Sequence, residues 1–517
     1  MSWEKEIEEL RKREQLAKKM GGEERVARHR KQGKLTVRER IDQLLDNGTF
    51  HEIGAIAGNG EYDESGEMVD FTPANFVTGT GRINNRKVVI GADDFTVRGG
   101  SMDGAVTRKQ EYSELMAKEL RIPIIRLVDG TGGGGSVKLL ADNGYTYVPV
   151  NPAWDHVIEN LQTVPVISAC LGSVAGLGAA RVSTSHFSVM VEDISQLFVA
   201  GPLIVKHGMG QDLDKEELGG VQVHKSSGAV DNVAKSEEDA FNHIRKFLSY
   251  MPTNIWELPP VVKSSDDPYR KEEELISAIP RDRRKLYKSR LILEMIFDID
   301  SIFEMGKFYG SSMITAFARL DGHPVGVIAP DVYKNAGAMT AESSEKIERF
   351  VDLCQTFHLP IVNFVDNPGL EVGLNAEKKG TIRKGVSAIS AVYQATVPMM
   401  EIILRRVFGV GGAGMSNGHG LNQRYAWPSG VWGSLPIEGG LEVAYKRDLE
   451  SSDDPEALRQ KLLKQLQNVT SPYRTAEKFG IEEIIDPRET RPLLCEWVKD
   501  AYSLLPQQLG NKHKYRP

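Results

Sequence analysis

An internal repeat restricts this chain more than any other feature. The segment RINNRKVVIGADDFTVRGGSM from Arg82 lies over RLDGHPVGVIAPDVYKNAGAM from Arg319 without a gap, an offset of 237 residues. Gly100 then falls on Gly337, Met102 on Met339, Glu111 on Glu348, Pro123 on Pro360 and Asp129 on Asp366. The order continues in TVPVISACLGSVAGLGAA from Thr163 and TVPMMEIILRRVFGVGGAG from Thr396, where the offset has slipped to 233. Domains usually run ~100–200 residues, so a duplicated chain of 517 residues reads as two homologous halves, about residues 30–260 and 280–517. With the helical arm included, the expected domains are 1–260 and 261–517. The join runs through SYMPTNIWELPPVVKSSDDPYRKEEE, rich in Pro, Ser and charge, which predicts an exposed connector.

Inside each half, short β-branched runs alternate with helix-length stretches. The runs are Val88–Ala92, Ile122–Val128 and Val164–Ala169, then Val325–Ile328, Ile361–Val365 and Met399–Leu404. Strands spaced in this way predict βαβ units and an α/β fold. Residues 2–50 are dense in Lys, Arg and Glu with apolar residues at helical spacing, which predicts an outer helical arm.

Several function classes are disfavoured. With 64 Lys and Arg against 71 Asp and Glu, the net charge of −7 offers no basic field for nucleic acid. Three cysteines, Cys170, Cys354 and Cys495, are too far apart for CxxC pairs, and they suit the cytoplasm or another reducing compartment. The N-terminus has no apolar h-region, and the least polar stretch, Val164 to Ala180, falls short of the ~20 residues of a membrane span.

The 50 glycines point to backbone-lined sites. Four segments end expected strands in glycine: DGTGGGG from Asp129, GSVAGLGAA from Gly172, DNPG from Asp366 and FGVGGAG from Phe408. Uncovered N–H groups between a strand and a helix suit an anion, though tight helix–sheet packing also calls for glycine there. A phosphate loop, GxxxxGK followed by Ser or Thr, does not occur, and no GxGxxG sits in a dinucleotide-binding context. GxSxG is absent, and His156, His186, His207, His224, His358 and His419 show no metal-ligand spacing, so no metal site is expected. Nucleotide binding is thus only weakly supported, and the alternative is a pair of backbone amides aimed at a developing carbonyl oxyanion, which needs no side-chain nucleophile.

The ordered set DDFTVRGGSM, IPIIRLVDG, GSVAGLGAA, FVAGPLIVK, EELGGVQVH, FHLPIVNFVDNPGLEVG, KKGTIRKG, ATVP and YAWP resembles the carboxyltransferase (β) subunit of biotin-dependent acyl-CoA carboxylases. The resemblance runs from about residue 30 to 500. It implies two crotonase-like (ClpP/crotonase) domains in tandem, a hexamer, and an active site between the N half of one subunit and the C half of another. It also implies a CoA thioester as substrate, with biotin carried on a separate chain and biotin carboxylase as a partner, because the chain has no AMKM attachment motif and no ATP-grasp domain. The family's AGGA segment meets Ala175-Gly176-Leu177-Gly178, so the Gly176 and Leu177 amides are implied to hold the thioester enolate. The YGGAYD segment meets Phe408 to Ala413, so the Val410 and Gly411 amides are implied to hold the biotin ureido oxygen.

The chain departs from the family around the substrate. DSGGAR is replaced by Asp129-Gly130-Thr131-Gly132-Gly133-Gly134, whose Gly132, Gly133 and Gly134 are candidate substrate contacts. An Asp that helps choose short acyl chains is matched by Ala413, and the loop after YAWP becomes GSLPIEGG. Lys206 could meet CoA phosphate or simply lie on the surface. The basic tail GNKHKYRP is expected to be flexible or an assembly contact. The leading reading is carboxyl transfer from carboxybiotin to the α- or vinylogous γ-carbon of an acyl-CoA. The alternatives are a malonyl- or methylmalonyl-CoA decarboxylase subunit and a non-catalytic acyl-CoA-binding paralogue. Gly176→Pro is expected to abolish turnover, and Gly176→Ala to be milder if φ there is negative.

Overall fold

The computed structural model describes residues 2–101, 106–130, 137–148, 150–151, 153–416 and 422–517. They form two compact units, Met1–Glu257 with Lys514–Pro517, and Leu258–His513.

The first unit begins with three helices, Glu4–Lys18, Glu23–Lys31 and Val37–Leu44. The third starts at Thr36, whose hydroxyl accepts from the Glu39 N–H while the Glu39 carboxylate accepts from the Thr36 N–H, a reciprocal cap. The main sheet has seven strands whose spatial order is their order in the chain. They are β1 (His51–Ile53), β2 (Phe76–Ile83), β3 (Arg86–Asp93), β4 (Ile124–Val128), β5 (Val166–Cys170), β6 (Phe187–Val191) and β7 (Asn232–Ala234). β2 and β3 form an antiparallel hairpin, and every step from β3 to β7 is parallel. All five residues of β4, of β5 and of β6 are buried, as parallel strands covered on both faces require.

The second unit repeats the plan with β8 (Phe303–Met305), β9 (Met313–Leu320), β10 (His323–Pro330), β11 (Ile361–Asn367), β12 (Met399–Phe408), β13 (Gln423–Ala426) and β14 (Glu483–Ile484). Beyond an irregularity in its pairing with β11, β12 also pairs with the short strand Val431–Gly433. The repeat holds at the level of register. Ile83 pairs with Arg86 in one hairpin and Leu320 with His323 in the other. Val89 faces Ile124, and Gly326 faces Ile361, each residue displaced by 237. Ile124 faces Val166 and Ile361 faces Met399, which reproduces the slip to 233.

Two expectations need correction. The connector is not freely exposed: Met251 and Ile255 are fully buried, Arg319 donates to the Pro260 carbonyl, and Arg491 donates to the Asp267 carbonyl. The C-terminal tail is not loose either, because Tyr515 is buried against His186 at a ring distance of 4.5 Å. An aromatic residue in a basic tail gains more by covering apolar surface than by remaining in water. Among the described residues no helix is long and apolar enough to cross a membrane.

Candidate active site

In the first unit, β5 runs into Leu171 and Gly172, and the chain then makes the short strand Ser173–Ala175, parallel to Gln196–Phe198. Gly172 is dictated by close approach, since a Cβ there would lie 1.9 Å from Asp129 Oδ1. Asp129 directly follows β4, fully buried, with Arg40 Nη1 donating to it at 2.9 Å and Lys34 Nζ 3.6 Å away. Arg40 also binds Glu237, so one guanidinium ties the helical arm to two buried carboxylates.

The turn that follows is built on Gly176, at φ 59° and ψ −124°, which starts the helix Leu177–Ser183. Nothing lies within 4 Å of where its Cβ would be, so glycine is needed here for backbone conformation and not for space. Its positive φ removes the condition under which Gly176→Ala would be mild. The Gly176 N–H donates to the Phe198 carbonyl at 3.2 Å, which corrects its expected role as a donor to substrate. The next N–H groups, of Leu177 and Gly178, open the first helical turn and meet no acceptor among the described residues.

The second unit has the same device. β12 ends at Phe408, Gly409 has φ 59°, and the chain turns into the helix Gly409–Ala413. The offset of 233 places Gly409 on Gly176, Val410 on Leu177 and Gly411 on Gly178. The expected donors Val410 and Gly411 are therefore the counterparts of Leu177 and Gly178, and their N–H groups likewise meet no acceptor among the described residues. A Cβ on Gly411 would lie 2.8 Å from Leu370 N. Asn367 holds that contact by donating to the Gly411 carbonyl and accepting from the Gly369 N–H. Below it Asp366, the mate of Asp129, accepts from Arg405, Arg406 and Tyr287 at 2.9, 2.5 and 3.0 Å. Burial, with the Asp366 charge next, drives the Tyr287 hydroxyl well above its ordinary pKa.

Of the other expected residues, Ala413 is exposed at the end of the short helix, and Lys206 pairs with Asp212 at 2.7 Å on the helix Pro202–Met209. Gly132, Gly133 and Gly134 lie outside the described residues. His186 serves the fold, with Nδ1 accepting from the Val166 N–H and Nε2 beside the Leu161 carbonyl.

Sequence reasoning missed two groups. Arg181, on the helix that Gly176 starts, is buried 3.9 Å from Asp93, with neither terminal nitrogen hydrogen-bonded. Burial pushes the Asp93 carboxyl up to about 6, against the opposing pull of Arg181. Glu401, the third residue of β12, is buried and lines a cavity with Gly409 and Ala413 of the second turn. Its signal was a single acid inside the apolar run MMEIIL.

Parallel α/β units that turn from strand to helix through a left-handed glycine, present in tandem, define a double crotonase-like scaffold. The chain belongs to the carboxyl transferase domain family, whose model matches residues 28–504. It is 34% identical over 516 residues to the propionyl-CoA carboxylase carboxyltransferase subunit of Haloferax mediterranei, covering 99% of each chain. It is 33% identical over 515 residues to the methylmalonyl-CoA decarboxylase subunit alpha of Veillonella parvula, covering 99% and 98%. The crystal structure of the transcarboxylase 12S hexamer with methylmalonyl-coenzyme A and methylmalonic acid bound superposes with a TM-score of 0.88 at 29% identity, covering 100% of this chain and 97% of that one.

Proposed function

We propose that the chain is the carboxyltransferase subunit of a biotin-dependent acyl-CoA carboxylase, a homohexamer served by a separate biotin carboxylase and a biotinyl carrier. The observation that carries this reading is the duplicated turn, in which Gly176 and Gly409 share φ 59° and each is followed by two N–H groups without an acceptor among the described residues. Family membership supplies the reaction class, and the turns supply a place for it.

In this reading the Leu177 and Gly178 amides hold the thioester oxygen of the acyl-CoA. They bind it weakly as a carbonyl and more strongly as an enolate, so they favour loss of the α-proton. The Val410 and Gly411 amides fit a urea oxygen, a neutral acceptor that needs two N–H donors and no charge. Carboxybiotin, when bound there, supplies the carboxyl group and a ureido nitrogen able to take the proton. Neither turn carries a nucleophilic side chain, so the residues of this chain contribute position and fixed dipoles. Gly176 and Asp129 act as positioning groups, the first by starting the helix and the second by anchoring the end of β4.

The test is the reverse reaction: purified protein, free biotin or a biotinylated carrier, and malonyl-, methylmalonyl- and methylglutaconyl-CoA. Release of CO2 from one of these only when biotin is present is the expected result. Binding of CoA thioesters without release would favour a non-catalytic paralogue.

A further inference from the structure

The repeat supplies an internal control for one lysine. Lys109 and Lys346 are mates at the offset of 237, on the helices Thr107–Leu120 and Ala341–Thr356. Each side chain crosses the glycine that follows the first strand of its sheet. A Cβ on Gly54 would lie 3.5 Å from Lys109 Cε, and one on Gly306 would lie 3.4 Å from Lys346 Cε. The two amines then differ. Lys346 Nζ donates to the carbonyls of Gly306, Tyr309 and Met313 at 2.8, 3.1 and 2.8 Å, which occupies all of its protons. Lys109 is 8% exposed, and its Nζ has no hydrogen-bond partner among the described residues.

Lys109 instead lines a small cavity, with room for about one water, whose walls include Ala17, Met20 and Arg38 of the helical arm and Glu52 and Val77 of β1 and β2. The carboxylates there are committed elsewhere. Glu52 accepts from the two terminal nitrogens of Arg38 at 2.8 and 3.3 Å, and Asp94 accepts the N–H and the hydroxyl of Thr96. Arg38 Nε is buried with no partner. The cavity therefore has two nitrogens, one on the arm and one on the helix Thr107–Leu120, that lack an acceptor. Burial pushes the Lys109 amine down to about 8, with Glu52 opposing and Arg38 adding to the effect. At pH ~8 about half of it is neutral, against about 1% or less of an exposed lysine. Conversion of the amine to an anion would remove the buried cation and give Arg38 Nε its acceptor.

We infer that Lys109 is a carbamylation site, whose neutral amine captures CO2 as a carbamate that accepts a hydrogen bond from Arg38 Nε. The nitrogen lone pair forms the N–C bond, one C=O π bond of CO2 opens to the carboxylate, and the amine gives one proton to solvent: R–NH2 + CO2 → R–NH–COO− + H+. Lys346 does not follow, because three carbonyls hold it as the ammonium. The carbamate ties the helix Thr107–Leu120 to the helical arm through Arg38, so dissolved CO2 becomes a ligand of that junction. This goes beyond the proposed carboxyl transfer and does not depend on it, since CO2 is the sole reactant.

The experiment uses the wild-type full-length protein, so no variant has to fold. It is equilibrated with isotopically labelled bicarbonate at pH ~8, where CO2 and the neutral amine coexist. Carbamates are then trapped as ethyl esters with triethyloxonium and mapped by peptide mass spectrometry. Lys109 should carry the labelled ethoxycarbonyl group at about tenfold or more the level of Lys346 and of the surface lysines. The same labelling of protein unfolded in guanidinium should erase that preference, because the fold lowers the affinity of the amine for its proton. Absence of the label from Lys109 in the folded protein overturns the inference and leaves a water as the occupant of the cavity. Equal labelling of all lysines in the folded protein also overturns it, as does a preference for Lys109 that survives unfolding.

Discussion

Single residues carry the sharpest consequences. Burial pushes the Glu401 carboxyl up from an ordinary 4.5 to about 7. Its native form therefore holds the proton more tightly than the unfolded chain, and stability falls as pH rises through that window. At about 1.4 kcal/mol per pKa unit the penalty is absent below pH ~4.5 and reaches about 3 kcal/mol above pH ~7. Glu401→Gln should remove it: urea midpoints of variant and wild type should draw apart in the variant's favour between pH 5 and pH 8. Parallel curves would show that the carboxyl is not titrating inside the fold. Gly176→Ala should cost about 1–3 kcal/mol by forcing an L side chain to φ 59°, visible as a lowered Tm. The importance of Gly176 was legible in the sequence, but its engagement with Phe198 was not, because that partner comes from a strand 22 residues further along. Glu401 was legible only as an interruption of an apolar run, and the sequence did not say that its neighbour Arg424 is already committed to Glu482.

Among the elements, the strands buried on both faces were the most legible. Expected and observed limits of β4 and β5 differ by two residues at most at either end, because a continuous apolar run bounded by turns leaves little choice. The repeat was legible too, down to the four-residue slip between β11 and β12. The charged anchors behind these strands were legible only as the pairing of Asp129 with Asp366, because their partners differ. Arg40 comes from the helical arm in one unit, and Arg405, Arg406 and Tyr287 from β12 and the segment before β8 in the other. Asp129→Asn leaves the Arg40 guanidinium with one carboxylate fewer in a dry site, so a loss of about 3–5 kcal/mol is expected. Tyr287→Phe deletes one of several bonds to Asp366 and should cost only about 1 kcal/mol. Chemical denaturation of the two variants side by side checks the order, and a Tyr287→Phe loss as large as that of Asp129→Asn would contradict it.

At the scale of the whole molecule, duplication explains why one chain carries two versions of the same turn. Each unit supplies a glycine-led helix start with two open amides, and the repeat offset aligns them residue for residue. A hexamer in solution is the proposed assembly, and sedimentation of the purified chain as a stable, active monomer would contradict it. The central claim is that backbone N–H groups, and no side chain, perform the electrostatic part of the reaction. Leu177 occupies the first position of its helix, where proline is tolerated and removes the N–H without breaking a hydrogen bond of the helix. The most direct measurement is therefore kcat for biotin-dependent CO2 release by Leu177→Pro, with Tm as the control for folding. A loss of about 10²–10³ in kcat at near wild-type Tm is the predicted result, and full activity in a folded Leu177→Pro enzyme would contradict the account.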